Sequence, residues 1–400
     1  MKYLLLLLPL LAACASSSQA TSPREAVTDT DADRIVRALC DKQLALLGEE
    51  SHHGNARTVA FKVALTRRLV EECHYDAFVI EAGTYDFLHI QALLKAGQPL
   101  GEDTVAAAIG RMWATEEMAP LIPFLTARLQ AGTLVAGGLD DQIGRGTYAQ
   151  KQMARELIPL FQGPRQAACG AEIERHMAWG YDEAHPYTAE TAKFILGCWQ
   201  ELASALTAPE SGRSLRMVRN LERNFTRQVA AMSQTPEQTA SARDWNDFDA
   251  RDRSMFLNLE SFLSQFPRPR KAIVWLATIH AAKDLRQVDA DARNGTSFGS
   301  HVREKYGDRS FVLGFSANSG GYALGSSART YVLAPATAES LEGWAFANHA
   351  ADTRYLEGHQ LRDFGPRVAR ALNYTWMTAP WDTVMDGLLI FREEAPGRPR

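Results

Sequence analysis

The sequence predicts an α/β protein with a mostly parallel central sheet flanked by helices and interrupted by an inserted all-helical subdomain. Three observations carry this. Short runs of residues, apolar on both faces, recur with helix-like segments between them, the pattern of buried parallel strands. A long middle stretch shows helical periods and no convincing strand. Ionisable residues stand at the ends of four successive apolar runs, where an open parallel sheet binds its ligands.

Taken in chain order, residues 1–13 combine one lysine, an apolar run of about ten residues and a small-residue cleavage region, which describes a secretory signal. The run is too short for the roughly 20 apolar residues a bilayer span needs. Leu11-Ala12-Ala13-Cys14 resembles a bacterial lipobox, which implies cleavage before Cys14 and lipidation of its sulfur. The expected location is the bacterial cell envelope, lipid-anchored and facing the periplasm or in the outer membrane, with 14–30 as a flexible tether. The first part of the α/β core spans 31–147, with strands at 44–48, 77–81 and 134–139. Between the first two, Val59, Val63 and Val70 predict a helix over 56–72. The helical insertion spans 148–245. The second part of the core, 246–392, holds a helix at 251–263 and strands at 272–278 and 310–315. The tail 393–400, rich in Pro, Gly and Arg, is expected to be disordered.

Composition excludes several function classes. With 43 Lys+Arg against 47 Asp+Glu and a net charge of −4, the chain is no basic nucleic-acid binder. A hydrophobic share of 46% excludes a disordered chain. Of five cysteines, Cys14 is assigned to the lipid anchor. The other four favour Cys40–Cys73 and Cys169–Cys198 disulfides in an exported protein, with four buried thiols as the alternative.

The strand ends carry the candidate chemistry. The first run ends in Gly48-Glu49-Glu50-Ser51-His52-His53, the second in Ile80-Glu81, the third in Gly138-Leu139-Asp140 and the fourth runs on to His280. Glu49, His52, Glu81, Asp140 and His280 are thus gathered on one edge. Each alone has a structural explanation, but burying so many ionisable groups together is costly without a purpose. Adjacent residues point in different directions, so His52 is taken as facing the site and His53 as structural.

These residues, in this order, resemble the erythromycin esterase family. Gly48-Glu49-Glu50-Ser51-His52 is similar to its opening Gly-Glu-x-Ser/Thr-His motif, Ile80-Glu81 to its second strand, and Trp113 with Glu117 to its Trp-x3-Glu helix start. Gly138-Leu139-Asp140, Arg251-Asp252-Arg253-Ser254-Met255 with Asn258, Trp275 to His280, Phe298-Gly299, Gly314-Phe315 and the Asp386 segment resemble later landmarks, across roughly 40–392. The resemblance implies hydrolysis of a small-molecule ester or lactone by water, with a histidine general base, no covalent serine and no metal or other cofactor. It implies His52 as base, Glu49 and Glu81 as orienting carboxylates, and His280 as a second polar contact. Trp113, Glu117, Asp140 and Arg251 would then bind substrate or hold the strand-end loops. The chain departs from the pattern at Ala56, where the family has Glu, at Phe61, where its arginine falls, and at Ala277-Thr278, where it has His-Asn. These departures weaken macrolides as the substrate.

Other chemistries fit less well. Gly314-Phe315-Ser316-Ala317-Asn318 lacks the last glycine of a serine-hydrolase elbow, and no His-Glu-x-x-His occurs. Glu49, His52, Asp140 and His280 have donor types that suit a divalent ion. Related exported lipoproteins bind haem or iron, which is the alternative from a different class, beside a catalytically inactive homologue. The polar segment 286–298 is the expected mobile loop over the site.

Overall fold

Leu44–Leu47 (β1) is buried on both faces and forms the middle of a seven-stranded sheet. The computed structural model describes residues 30–50, 53–207, 212–234, 245–288 and 295–400. The secretory signal, Cys14 and nearly all of the tether lie outside these residues. After β1 come β2 (His53–Gly54), β3 (Ala77–Gly83), β4 (Val135–Asp140), β5 (Ala272–Trp275), β6 (Ser310–Ala317) and β7 (Gly320–Leu324). They are followed by β8 (Thr330–Leu333), β9 (Thr353–Glu357), β10 (Pro366–Leu372), β11 (Thr375–Pro380) and β12 (Gly387–Phe391).

The central sheet runs β4-β3-β5-β1-β6-β12-β9, parallel throughout except for the antiparallel edge pair β12–β9. The carboxyl ends of β1, β3, β4 and β5 therefore share one edge, as their apolar runs imply. The helix Ala56–Glu72 packs Val59, Val63, Leu65 and Leu69 inward, with Lys62 also fully buried. The fourth run breaks earlier than expected: β5 stops at Trp275, and a one-turn helix, Thr278–Ala281, carries His280. Two smaller sheets, β2-β7-β8 and β10-β11, lie outside the sequence reading.

Between β4 and β5 the described elements are all helical, including Gln166–Ala178, Ala189–Ala205 and Gly212–Met232. Ile173, Trp199, Leu221 and Phe225 give this insertion its own core. The helix expected at 251–263 begins earlier, at Trp245. The Cys40–Cys73 and Cys169–Cys198 disulfides are formed. The first does not join neighbouring strands, since β5 lies between β1 and β3. Lys271, at the start of β5, donates to the carbonyls of both Cys40 and Cys73 at 2.6 Å.

The tail 393–400 is ordered, contrary to expectation. Glu394 is buried, and main-chain bonds tie Ala395 to Ala56, Gly397 to Gly54, Arg398 to Glu116 and Arg400 to Ala114. Its local composition lacks an apolar face, and what holds it is backbone pairing with distant segments. Among the described residues, no helix is long and apolar enough to cross a membrane.

Candidate active site

Glu49 follows β1 and is fully buried, yet it is the most heavily bonded carboxylate of the site. Its Oε1 accepts from Lys62 Nζ at 2.7 Å, from Trp113 Nε1 at 3.4 Å and from Trp275 Nε1. Its Oε2 accepts from His53 Nδ1 at 2.5 Å. Burial would raise the Glu49 pKa, but Lys62 and His53 hold it below the ordinary carboxylate value. Burial lowers the Lys62 pKa to about 8 against the pull of Glu49. Lys62 also lies over the Trp275 ring, 4.0 Å from its centroid.

His53 is the histidine that lines the cavity beside Glu49, although the sequence reading treats it as structural. Ser51 and His52 lie outside the described residues. With Nδ1 committed to Glu49, the His53 tautomer is set and Nε2 remains as the basic nitrogen. The ring leans on Trp113, with centroids 4.3 Å apart. His53 has a φ of 68°, a left-handed conformation that strains a residue bearing a Cβ. Pairing of β2 with β7, His53 opposite Leu324 and Gly54 opposite Ala323, holds it there. A Cβ on Gly54 would collide with the Ala323 carbonyl, so this pairing needs glycine. Phe61 brings no charge to the site, whereas Lys62, one residue later, pairs with Glu49.

The second half of the site centres on Arg251, which donates to Glu81 Oε1 at 3.0 Å and to Asp140 Oδ2 at 2.7 Å. Its Nη1 lies 3.0 Å from His280 Nε2, while His280 Nδ1 lies 2.8 Å from Asp252 Oδ2. Neutral His280 accepts from Arg251; protonated, it faces Glu81 Oε1 at 3.4 Å. Burial disfavours the imidazolium, but Asp252 and Glu81 outweigh that and raise the His280 pKa. Burial pushes Asp252 upward. For Glu81 burial is overcome by His280, Arg251 and His53, which hold its pKa well down. Ala277 N–H also donates to Glu81 Oε2 at 2.8 Å.

His53, Glu81, Asp140, Arg251 and His280 line one cavity of about 620 Å³, with Trp113 on its wall. Glu117 is not part of that lining; it binds the Arg398 side chain at 2.9 Å and so holds the C-terminal strap. Ala277 lines the cavity, whereas Thr278 is buried beneath it and donates its N–H to the Glu49 carbonyl at 2.8 Å. Of the expected loop 286–298, residues 289–294 lie outside the described residues, and Ser297 and Phe298 are buried at a helix start.

Sequence reasoning missed three further groups. Asp141 turns away from its neighbour Asp140 and takes a bidentate bond from Arg227 at 2.6 and 2.7 Å, anchoring the helical insertion. Glu50 accepts from Asn55 Nδ2 and from the Thr58 hydroxyl. Glu394 accepts the Arg57 and Thr58 N–H groups at 2.7 and 3.2 Å, capping the helix Ala56–Glu72 from the far end of the chain. The acid pairs Glu49-Glu50 and Asp140-Asp141, each at a strand end, left a visible trace in the sequence, whereas Glu394 left none.

Known proteins share this fold. Solved structures of similar fold include a succinoglycan biosynthesis protein, 13% identical, at a TM-score of 0.69 and covering 92% of each chain. A Bacillus cereus protein, 16% identical, reaches 0.68 over 93% of this chain and 94% of its own. A histidine-to-asparagine mutant of erythromycin esterase EreC in its open conformation, 14% identical, reaches 0.62 over 92% of this chain and 94% of its own. A protein of Bacillus subtilis (strain 168) named "Putative hydrolase YbfO" is 22% identical over 77% of this chain and 72% of its own. The erythromycin esterase profile matches residues 70–384, and with that span the chain belongs to the erythromycin esterase family.

Proposed function

We propose that the protein hydrolyses a carboxylic ester or lactone by direct attack of water, with His53 as general base. The observation that carries this reading is the His53–Glu49–Lys62 chain at the cavity wall. A carboxylate on Nδ1 leaves Nε2 free to take a proton and stabilises the imidazolium that results. The hydroxide oxygen then joins the acyl carbon. Arg251 and His280 offset the developing oxyanion, Glu81 stays ionised and orients the water, and the alcohol leaves with a proton from His280 or His53. The reaction needs no metal and no covalent intermediate. Macrolides are not the favoured substrate, because Ala277 supplies a methyl group where the family pattern has a polar side chain.

We further propose that the chain is exported and lipid-anchored through Cys14. Its two disulfides suit an oxidising envelope compartment.

Adjacent histidines make the test sharp. On a panel of aryl esters and lactones, His53→Gln is expected to lower kcat/KM by about 10²–10⁴-fold, the usual worth of a general base. His52→Gln should stay within a few-fold, and chelators should have no effect. Full activity in His53→Gln would sink the mechanism.

A further inference from the structure

A second cavity, of about 720 Å³, opens in the helical insertion. It shares Gln142, Ile143 and Arg145, just beyond β4, with the first cavity, so the two cavities are adjacent. The side chains of Gln142 and Arg145 are exposed and bonded to no other described residue.

Trp179 lines this second cavity. It is 61% exposed, an unusual state for the largest apolar side chain. Its backbone is held at a φ of 52°, ending the helix Gln166–Ala178 in a left-handed turn. The turn satisfies the last carbonyls of the helix, Trp179 N–H bonding the His176 carbonyl and Gly180 N–H that of Arg175, and leaves the indole facing outward.

Three rings back the indole. His176, Tyr181 and Tyr187 have centroids 5.7, 5.4 and 5.4 Å from it, and the two tyrosines are 4.9 Å apart. Rings this close pack on one another and leave no space to enclose a quaternary ammonium group. They make the indole a rigid, flat platform. The polar wall is equally fixed: Gln228 accepts from the Tyr187 hydroxyl and donates to Asn224, both at 2.5 Å. Arg227 is neutralised by Asp141 and Asp247, so it adds no net attraction for an anion.

A flat apolar face beside fixed amides fits a sugar ring, whose C–H face stacks on indole while its hydroxyls pair with planar polar groups. We propose that the second cavity is a saccharide subsite and that the ester cleaved in the first cavity is an O-acyl group on a carbohydrate. The acyl–oxygen bond breaks, the water oxygen joins the acyl carbon, and the sugar hydroxyl leaves carrying a proton. This substrate class rests on the hydrolase reading for its reaction, and on the second cavity for its ligand.

Two measurements on the full chain keep those two dependences apart. The first compares kcat/KM for mono-O-acetyl cellobiose with that for p-nitrophenyl acetate. Trp179→Ala should lower the ratio of the two by about tenfold, chiefly through the disaccharide KM, the size of one lost ring-face contact. Trp179→Phe should restore part of it. The second records saturation-transfer NMR of unacylated cellobiose, with a signal in the wild type that is lost in Trp179→Ala. An unchanged ratio with active enzyme, or no cellobiose signal in the wild type, overturns the saccharide subsite. Cellobiose binding without hydrolysis of either ester supports the subsite and overturns the hydrolase reading instead.

Discussion

Lys62 Nζ and Glu49 Oε1 are 2.7 Å apart, and neither side chain is accessible to solvent. The pair stands directly behind His53, so the negative charge that orients the imidazole is itself compensated from inside the core. Lys62→Met should leave the buried Glu49 without its cation, with a loss of about 3–5 kcal/mol in urea unfolding. Hydrolytic activity should fall with it, because an uncompensated Glu49 takes up a proton and releases Nδ1. Wild-type stability in Lys62→Met would remove the pair from any structural role.

Arg251 bridges Glu81, Asp140 and His280 through one planar guanidinium. Arg251→Lys keeps a positive charge but cannot serve three partners in fork geometry. We expect kcat/KM to drop by at least about tenfold, as when one charge-assisted bond is lost. Around His280, burial and the Arg251 charge oppose the upward pull of Asp252 and Glu81, which prevails. Arg251→Met should therefore raise the midpoint of the His280 C–H resonance in an NMR titration, and a lowered midpoint would contradict the placement.

Glu50 and Glu394 both bond the Thr58 hydroxyl, at 2.7 and 2.9 Å. A hydroxyl has one proton to donate, so the second bond needs a proton from one of the acids. Burial, with Glu394 beside it, raises the Glu50 pKa to about 8, and burial raises Glu394 to about 6. Both folded values exceed the unfolded value, so the native state binds more protons between about pH 4.5 and pH 8. The stability from this pair is complete below the unfolded pKa and is lost as pH rises to about 8. One shared proton contributes a slope of up to about 1.4 kcal/mol per pH unit. Glu394→Gln keeps the bond from the Arg57 N–H, gives up that from the Thr58 N–H and removes one acid, so its unfolding free energy, lower overall, should fall less steeply with pH than the wild type's. Parallel pH profiles would exclude the shared proton.

The Cys169–Cys198 bridge closes a loop with a sequence separation of 29 inside the helical insertion. On the chain-entropy account its removal should cost about 3–4 kcal/mol. Cys169→Ser/Cys198→Ser should lower the thermal midpoint and raise amide exchange in Gln166–Ala178 and Ala189–Ala205 above that in the central sheet.

Much of this was legible locally. The five apolar runs correspond to β1, β3, β4, β5 and β6, and the valine spacing located the helix Ala56–Glu72. Strands apolar on both faces announce a buried parallel sheet whatever surrounds them. Glu81, Asp140, Arg251 and His280 were visible because strand ends and one helix face deliver them. The His53–Glu49 bond was not, since spacing along a turn does not say which side chain meets a buried carboxylate. Nor was the strap, because Glu394 and Thr58 are 336 residues apart and meet only when the sheet is complete.

By itself, then, the sequence determined the sheet, the inserted helical subdomain and the edge on which charged residues gather, because hydrophobic periodicity is a local property. The tertiary structure decided which histidine Glu49 holds, which cation balances it, and that the chain's last residues close over the turn. Those choices depend on burial: in the interior a carboxylate must find its partners wherever the fold brings them, and sequence spacing does not say where that is.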